Sequence, residues 1–315
     1  MLHSSLQTST ASQPQSDTRS TVVEVAQLTR AYGEKIALDG VNLSVPRGCV
    51  FGIVGENGAG KTTLIKHILG SLKPQSGKVQ VFGQDPIRNL QSVLARIGYL
   101  SASPELPKWM RIGQLLRYTS AFYPTWDEAY ASELISLFEL DLAAKIKTLS
   151  TGQHARVGLV LALAHRPELL LLDEPSSGLD PVVRRDILEA IISSISEAGC
   201  TVMFSSHLLD EVERVSDCLA MIQDGRIVEC NTLDTIRETY KKITLNFEHV
   251  QGVQPSAPDA ISWHGEGREW TGVCRDLSQD LIENVTLIGG RIVEQTTPTL
   301  DEIFLAYASR DRRRP

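Results

Sequence analysis

Two kinds of apolar patterning alternate along this chain. CVFGIV (Cys49–Val54), LLLLD (Leu169–Asp173) and TVMF (Thr201–Phe204) are short, continuous and β-prone, as expected of strands covered on both faces. LIKHIL (Leu64–Leu69), VGLVLALAH (Val157–His165) and VVRRDILEAIISSISEAG (Val182–Gly199) instead space their apolar residues as helices do. This alternation predicts an α/β fold, an open sheet with a loop-borne site at its strand ends. Residues 21–94 also read as an antiparallel β segment, and residues 95–165 as helix-rich, including FYPTWDEAYASELISLFEL (Phe122–Leu140). CLAMIQDGRIVE (Cys218–Glu229) predicts a hairpin whose Asp-Gly pair is the turn. Beyond Lys241 the character changes. ITLNF, REWTGVC and GGRIVEQ look like short strands, LSQDLIENV and LDEIFLAYA like helices, together a small C-terminal α+β appendage over 241–315. Residues 1–20 are Ser/Thr/Gln-rich without an apolar core segment, which predicts a disordered tail.

The first chemistry lies between the strand CVFGIV and the helix LIKHIL. GENGAGKT (Gly55, Glu56, Asn57, Gly58, Ala59, Gly60, Lys61, Thr62), followed by Thr63, fits G-x-x-x-x-G-K-[ST]. Glycines let this loop turn tightly so that backbone N–H groups converge on phosphates, and the helix begun near Lys61 presents its positive dipole end. Lys61 reaches the β- and γ-phosphates, and the Thr62 hydroxyl can sit on Mg²⁺. LLLLDEP (Leu169–Pro175) carries two carboxylates at the end of its apolar run. A lone pair of this kind is ordinarily a solvated strand end; beside a phosphate loop, Asp173 is placed to hold Mg²⁺ and Glu174 to polarise an attacking water. LSTGQ (Leu149–Gln153) opens a helix, where Ser150, Thr151, Gly152 and Gln153 offer either a plain N-cap or a second phosphate contact.

SSGLD (Ser176–Asp180) follows the carboxylates, and SSH (Ser205–His207) follows TVMF. In this order, over about residues 22–226, the motifs resemble the nucleotide-binding subunit of an ABC transporter. GENGAGKT resembles the Walker A loop, LSTGQ the signature, LLLLDEP the Walker B strand, SSGLD the D-loop and His207 the switch histidine. The LDEIFLAY ending is similar to subunits of bacterial ABC-2 type exporters. The resemblance implies a P-loop NTPase of residues 21–240, with an antiparallel β subdomain, a RecA-like core and a helical insertion at about 95–165. It implies ATP and Mg²⁺ as ligands, Glu174, His207 and Lys61 as catalytic residues, Thr62 and Asp173 at the metal, and Tyr32 stacking on adenine. It also implies a composite site. The signature Ser150–Gln153 acts across a homodimer or a heterodimer with another ABC ATPase, and a transmembrane permease is a separate chain. PELPKWMRIGQLLRY (Pro104–Tyr118) is the expected docking surface, with Trp109 and Met110 as anchors or, alternatively, as core residues.

Composition narrows the classes. No run of eighteen apolar residues exists, so nothing in this sequence is expected to span a bilayer, and the resemblance implies a cytoplasmic location, peripheral on the inner face of the membrane. A net charge of −7 argues against a nucleic-acid binder. The 5 cysteines are scattered without C-x-x-C spacing and read as small buried hydrophobes. The basic end RDRRRP reads as a frayed tail or a lipid contact. A non-transport ABC ATPase and a slow nucleotide switch are the alternatives.

One position departs from the family. IGYLSAS (Ile97–Ser103) puts Ala102 where a glutamine normally contacts Mg²⁺ and water. Alanine has no ligand atom, so the contact is absent or comes from Ser101, Ser103 or Glu105. Either the loop tolerates alanine and Glu174 suffices, or hydrolysis is slow or dependent on the partner, in which case Ala102→Gln should raise turnover. An unchanged rate and Mg²⁺ dependence in a steady-state ATPase assay would discard this expectation.

Overall fold

The computed structural model describes residues 21–251, 255 and 260–311. The expected N-terminal tail, and residues 312–315 of the basic end, lie outside them. In chain order the strands are β1 (Thr21–Tyr32), β2 (Lys35–Pro46), β3 (Val50–Val54), β4 (Ser76–Val81), β5 (Ile97–Leu100), β6 (Leu169–Asp173), β7 (Thr201–Ser206), β8 (Cys218–Gln223), β9 (Arg226–Thr232), β10 (Tyr240–Gln251), β11 (Ala260–Arg275) and β12 (Gly290–Thr296). The helices are α1 (Lys61–Ile68), α2 (Leu90–Leu94), α3 (Ile112–Ser120), α4 (Glu128–Leu137), α5 (Thr151–Leu163), α6 (Pro181–Ala198), α7 (Leu209–Val215), α8 (Leu233–Thr239), α9 (Gln279–Leu287) and α10 (Leu300–Asp311).

Six strands form the central sheet in the order β5-β6-β7-β3-β8-β9, parallel except for β9. Every residue of β3, β6 and β7 is buried, which is why each reads as an unbroken apolar run. Successive side chains on a strand point to opposite faces, and the two faces serve different cores. Val54, Leu170, Leu172, Val202 and Phe204 face a helical layer that includes α3 to α6. Phe51, Ile53, Leu169, Leu171 and Met203 face α1 and the antiparallel sheet β2-β1-β4. The parallel sheet is thus clamped from both sides, and its loops at the carboxyl ends of β3, β6 and β7 are brought side by side.

The third sheet, β11-β10-β12, buries Ile243, Leu245, Phe247, Trp263 and Cys274 against Leu281 and Val285 of α9. It is not isolated from the rest. Tyr240, Ile261 and Val273 join α10 residues Leu300, Ile303 and Ala306 in the same cluster as Val54 and Leu172. A buried polar group pins this junction. The Tyr240 hydroxyl donates to Glu229 and lies 2.7 Å from the Tyr307 hydroxyl, with Arg275 3.7 Å from the same carboxylate.

Packing decides between the two readings of Trp109 and Met110, and corrects the reading of the cysteines. Met110 is 9% exposed and belongs to the helical-layer core, so of the two proposed anchors only Trp109, 75% exposed, remains at the surface. Cys49, Cys200 and Cys274 are buried as small hydrophobes, but Cys218, the first residue of β8, is half-buried, and Cys230 is exposed on the edge strand β9.

Glu168, just before β6, ties the sheet to its flank. Arg96 grips it through bonds of 2.5 and 2.8 Å, and Arg47 adds one of 3.0 Å. The Arg96 hydrogen bonds, opposed by burial and reinforced by Arg47, hold its carboxyl at about 2 against an ordinary 4.5. Because the folded value is the lower one, the stabilisation is complete above the ordinary value and drains away as the pH falls toward about 2. Thermal unfolding followed from pH 7 downward should show Glu168→Gln losing part of the acid sensitivity of the parent in that window.

Candidate functional site

The loop from β3 to α1 is shaped by close backbone approach. A Cβ on Gly55 would stand 2.4 Å from the Ile222 carbonyl oxygen, and one on Gly60 would stand 2.3 Å from that of Ala37. Gly60 also takes φ 114°, which side-chain-bearing residues rarely adopt. This geometry presents the first turn of α1 to the open side. Lys61 is 4% exposed, and its ammonium donates to the Gly55 carbonyl at 2.6 Å and that of Glu56 at 3.2 Å, with Glu174 Oε1 2.9 Å away.

Parallel pairing of β6 with β7 supplies the opposite wall, since Asp173 lies in register with Ser205. Thr62 Oγ1 donates to Asp173 Oδ1 at 3.1 Å, and Ser205 Oγ donates to the same oxygen at 2.8 Å. The next residue, Glu174, adopts φ 48°, and its N–H donates to Ser205 Oγ at 2.9 Å. Its carboxylate lies between two partners, Lys61 on Oε1 and His207 Nδ1 on Oε2 at 3.0 Å. Burial pushes this carboxyl up, but Lys61 and then His207 outweigh it, so it is held below the usual carboxylate range. Glu174 therefore remains ionised at neutral pH, the form a proton acceptor needs.

A cavity of about 300 Å³ opens over the loop, lined by Tyr32, Asn57, Gly58, Gly60, Thr63 and Glu174, with Lys61 and Thr62 at its floor. Asp173 and His207 sit one hydrogen bond behind it. Glu56 and Ala59 face a neighbouring cavity instead. Tyr32 is half-exposed, with the Arg30 guanidinium carbon 4.8 Å from its ring centre. Ser150 caps α5: its hydroxyl accepts from the Gln153 N–H, and the Gln153 side chain accepts from the Ser150 N–H. The signature does not line the loop cavity; Thr151 lines another, of about 160 Å³, together with Ala102 and its neighbours.

Two contributors were missed by sequence reasoning. Ser205 was noted only as part of SSH, although its place in register with Asp173 makes it the orienting hydroxyl. Glu211, 6% exposed on α7, accepts from Ser176 at 2.5 Å and Ser206 at 3.4 Å, tying the SSGLD turn to the end of β7. No spacing rule announces it, since the pairing requires the fold.

The residues present fit a triphosphate and a hard divalent cation. Gly60 lines the cavity while its backbone lies close against the Ala37 carbonyl oxygen, an approach that a Cβ would prevent. Thr62 Oγ1 and Asp173 Oδ1 are hard oxygen donors that already converge.

A glycine-rich loop opening a helix at the end of a parallel strand, facing an acidic neighbouring strand end, defines a P-loop nucleotide-hydrolysing protein. Residues 38–177 match the family described as ABC transporter. An uncharacterized ABC transporter ATP-binding protein of Nostoc is 34% identical, covering 86% of this chain and 82% of its own length. The daunorubicin resistance ATP-binding protein DrrA3 of Streptomyces coeruleorubidus is 30% identical over 93% and 98% of the two chains. A solved ATP-binding subunit of an ABC transporter aligns with a TM-score of 0.64 at 29% identity, covering 69% of this chain and 92% of its own. The chain belongs to the ATP-binding proteins of ABC transporters, and it is an ABC-type ATPase.

Gly60→Ala should abolish nucleotide binding, because the added carbon meets the Ala37 carbonyl whatever the solvent or ligand. Titration with a fluorescent ATP analogue checks this, with circular dichroism confirming that the variant is folded.

Proposed function

We propose that this chain binds Mg²⁺–ATP at the loop cavity, pairs head to tail with a second copy or a related cassette, and drives a separate membrane permease, most simply in export. The observation that carries the reading is the Glu174 carboxylate held between Lys61 and His207, beside the Thr62–Asp173 pair. Lys61 holds the phosphate oxygens that compete with Glu174 for its ammonium, which releases Glu174 to accept a proton from the attacking water. His207 orients that carboxylate from its other oxygen. Ser205 and Thr62 fix Asp173, and Tyr32 offers its open face to the base. Held by Thr62 and Asp173, magnesium would neutralise phosphate charge as it develops. Ser150 to Gln153 would supply helix N-terminal N–H groups from the second cassette.

The division into a cassette of 21–240 and an extension of 241–315 is part of the same reading. No described helix is long and apolar enough to cross a membrane, which is compatible with a separate pore-forming chain. A groove of about 450 Å³ beside the helical layer, lined by Tyr99, Thr119, Tyr123 and Leu161, suits a permease segment, with exposed Trp109 nearby in sequence. Export is supported by the likeness to the daunorubicin resistance protein along nearly the whole chain. The expected position is the cytoplasmic face of the membrane, without nucleic acid as a partner. Ala102, which brings no ligand atom to the cavity it shares with Thr151, favours a slow-hydrolysing switch as the second reading.

Glu174→Gln should lower ATP turnover by about 10²- to 10⁴-fold, the usual contribution of a positioned base. It should also retain Mg²⁺–ATP and accumulate as a dimer in size-exclusion chromatography. Unimpaired turnover in this variant would remove Glu174 from the proposed role, and absence of ATP binding by the parent would remove the reading as a whole.

A further inference from the structure

The segment after Glu174 and the segment before His207 are tied together through a third residue. Ser176 Oγ donates to Glu211 Oε2 at 2.5 Å, and Ser206 Oγ donates to the same oxygen at 3.4 Å. Ser176, Ser206 and Glu211 are 3%, 2% and 6% exposed. The other carboxylate oxygen, Oε1, lies 3.9 Å from Arg184 Nη1 and accepts no hydrogen bond among the described residues. A buried carboxylate is costly to keep, and an apolar side chain could pack α7 without that cost. What the carboxylate adds is one oxygen that fixes two hydroxyls at once.

Both hydroxyls stand next to reactive side chains. Ser176 is two residues past Glu174, joined to it by buried Pro175, whose ring fixes its own φ. Ser206 directly precedes His207, and its Oγ accepts from the Leu208 N–H at 3.0 Å, so it brackets the histidine. Between these two segments the side chains of Glu174 and His207 meet at 3.0 Å. The Glu174 N–H is already held by Ser205, through the carbonyl at 3.1 Å and the hydroxyl at 2.9 Å. Helix α7 gives Glu211 a firm mount. Leu209 and Val212 pack in the cluster that holds Leu172 and Phe204, and a Cβ on Gly52 of β3 would stand 2.5 Å from Val212 Cγ1.

We propose that Glu211 is a positioning residue for the base: by holding Ser176 and Ser206 on one oxygen, it sets the spacing of Glu174 and His207. This rests on Glu174 being the base of the nucleotide site. Glu211 does not line the loop cavity and acts through the two segments it joins. Its loss therefore misplaces the Glu174 carboxylate in the chemical step and leaves ATP binding, which Lys61 and the loop carry, nearly untouched.

The test compares Glu211→Ala, Glu211→Gln and Ser176→Ala in the full chain, reading kcat and KM in steady-state ATPase assays. Glu211→Ala is also placed in the Glu174→Gln background, where Mg²⁺–ATP affinity and residual single-turnover hydrolysis are measured. Glu211→Ala is expected to lower kcat by about 10- to 100-fold with KM nearly unchanged, the scale of a misplaced catalytic group. Glu211→Gln keeps an acceptor oxygen for both serines and should recover most of that turnover, and Ser176→Ala should lower kcat by about three- to tenfold. Because Glu211 acts through Glu174, its removal from the Glu174→Gln background should leave affinity and residual hydrolysis within about twofold. A parental kcat in Glu211→Ala overturns the proposal, as does a further loss on top of Glu174→Gln as large as that in the active chain, which marks a general structural role. If Glu211→Ala does not fold, Ser176→Ala alone decides, a parental kcat overturning the proposal. Unimpaired turnover in Glu174→Gln overturns the proposal through the base assignment on which it rests, whereas an impaired Glu174→Gln beside a parental Glu211→Ala overturns the role of Glu211 alone.

Discussion

A lysine ammonium that is 4% exposed must be surrounded by oxygen, because an unpartnered buried charge costs far more than a domain can spare. Lys61 meets this condition with two carbonyls of its own loop and one carboxylate from just past the end of β6, across β7 in the sheet. Through that carboxylate it is linked to His207, and Ser205 links the Glu174 backbone to Asp173 and so to Thr62. Three strand ends are therefore closed into one polar ring around a single buried charge. On the proposed reading a triphosphate would compete for the same ammonium, so that occupation of the loop and release of Glu174 would be two aspects of one exchange.

The ring is possible because β3, β6 and β7 are parallel and adjacent, so their carboxyl ends open on the same edge. Parallel strands buried on both faces must be apolar throughout, and this is why VFGIV, LLLLD and TVMF stand out in the sequence. The strand and helix types, and the Lys61, Asp173, Glu174 and His207 positions, were legible for that reason. Ser205 was not, since only register with Asp173 reveals its role. The fates of neighbours Trp109 and Met110 also depend on the fold. Both are large and apolar, and only packing distinguishes the exposed one from the buried one.

The region after Lys241 shows another limit of periodicity. Strand β10 runs to 12 residues, longer than the short segment ITLNF suggested, whereas the part of β11 paired with it, Gly267–Arg275, is close to REWTGVC. Polar positions interrupt the apolar pattern, yet pairing between strands holds the backbone extended across them. The bond between Tyr240 and Tyr307 joins positions 67 residues apart, and no local signal anticipates it. What looks like an appendage in sequence shares its core with the sheet that carries the loop.

Ser150 and Gln153 satisfy each other across the first turn of α5 with no help from any other chain. On the proposed pairing, each polypeptide would fold its half of a shared centre in advance, and meeting a mate would add function without being needed for shape. Were two unlike cassettes to pair in this way, one centre could decay by mutation while the other kept working, since neither half would rely on its opposite number to stay intact.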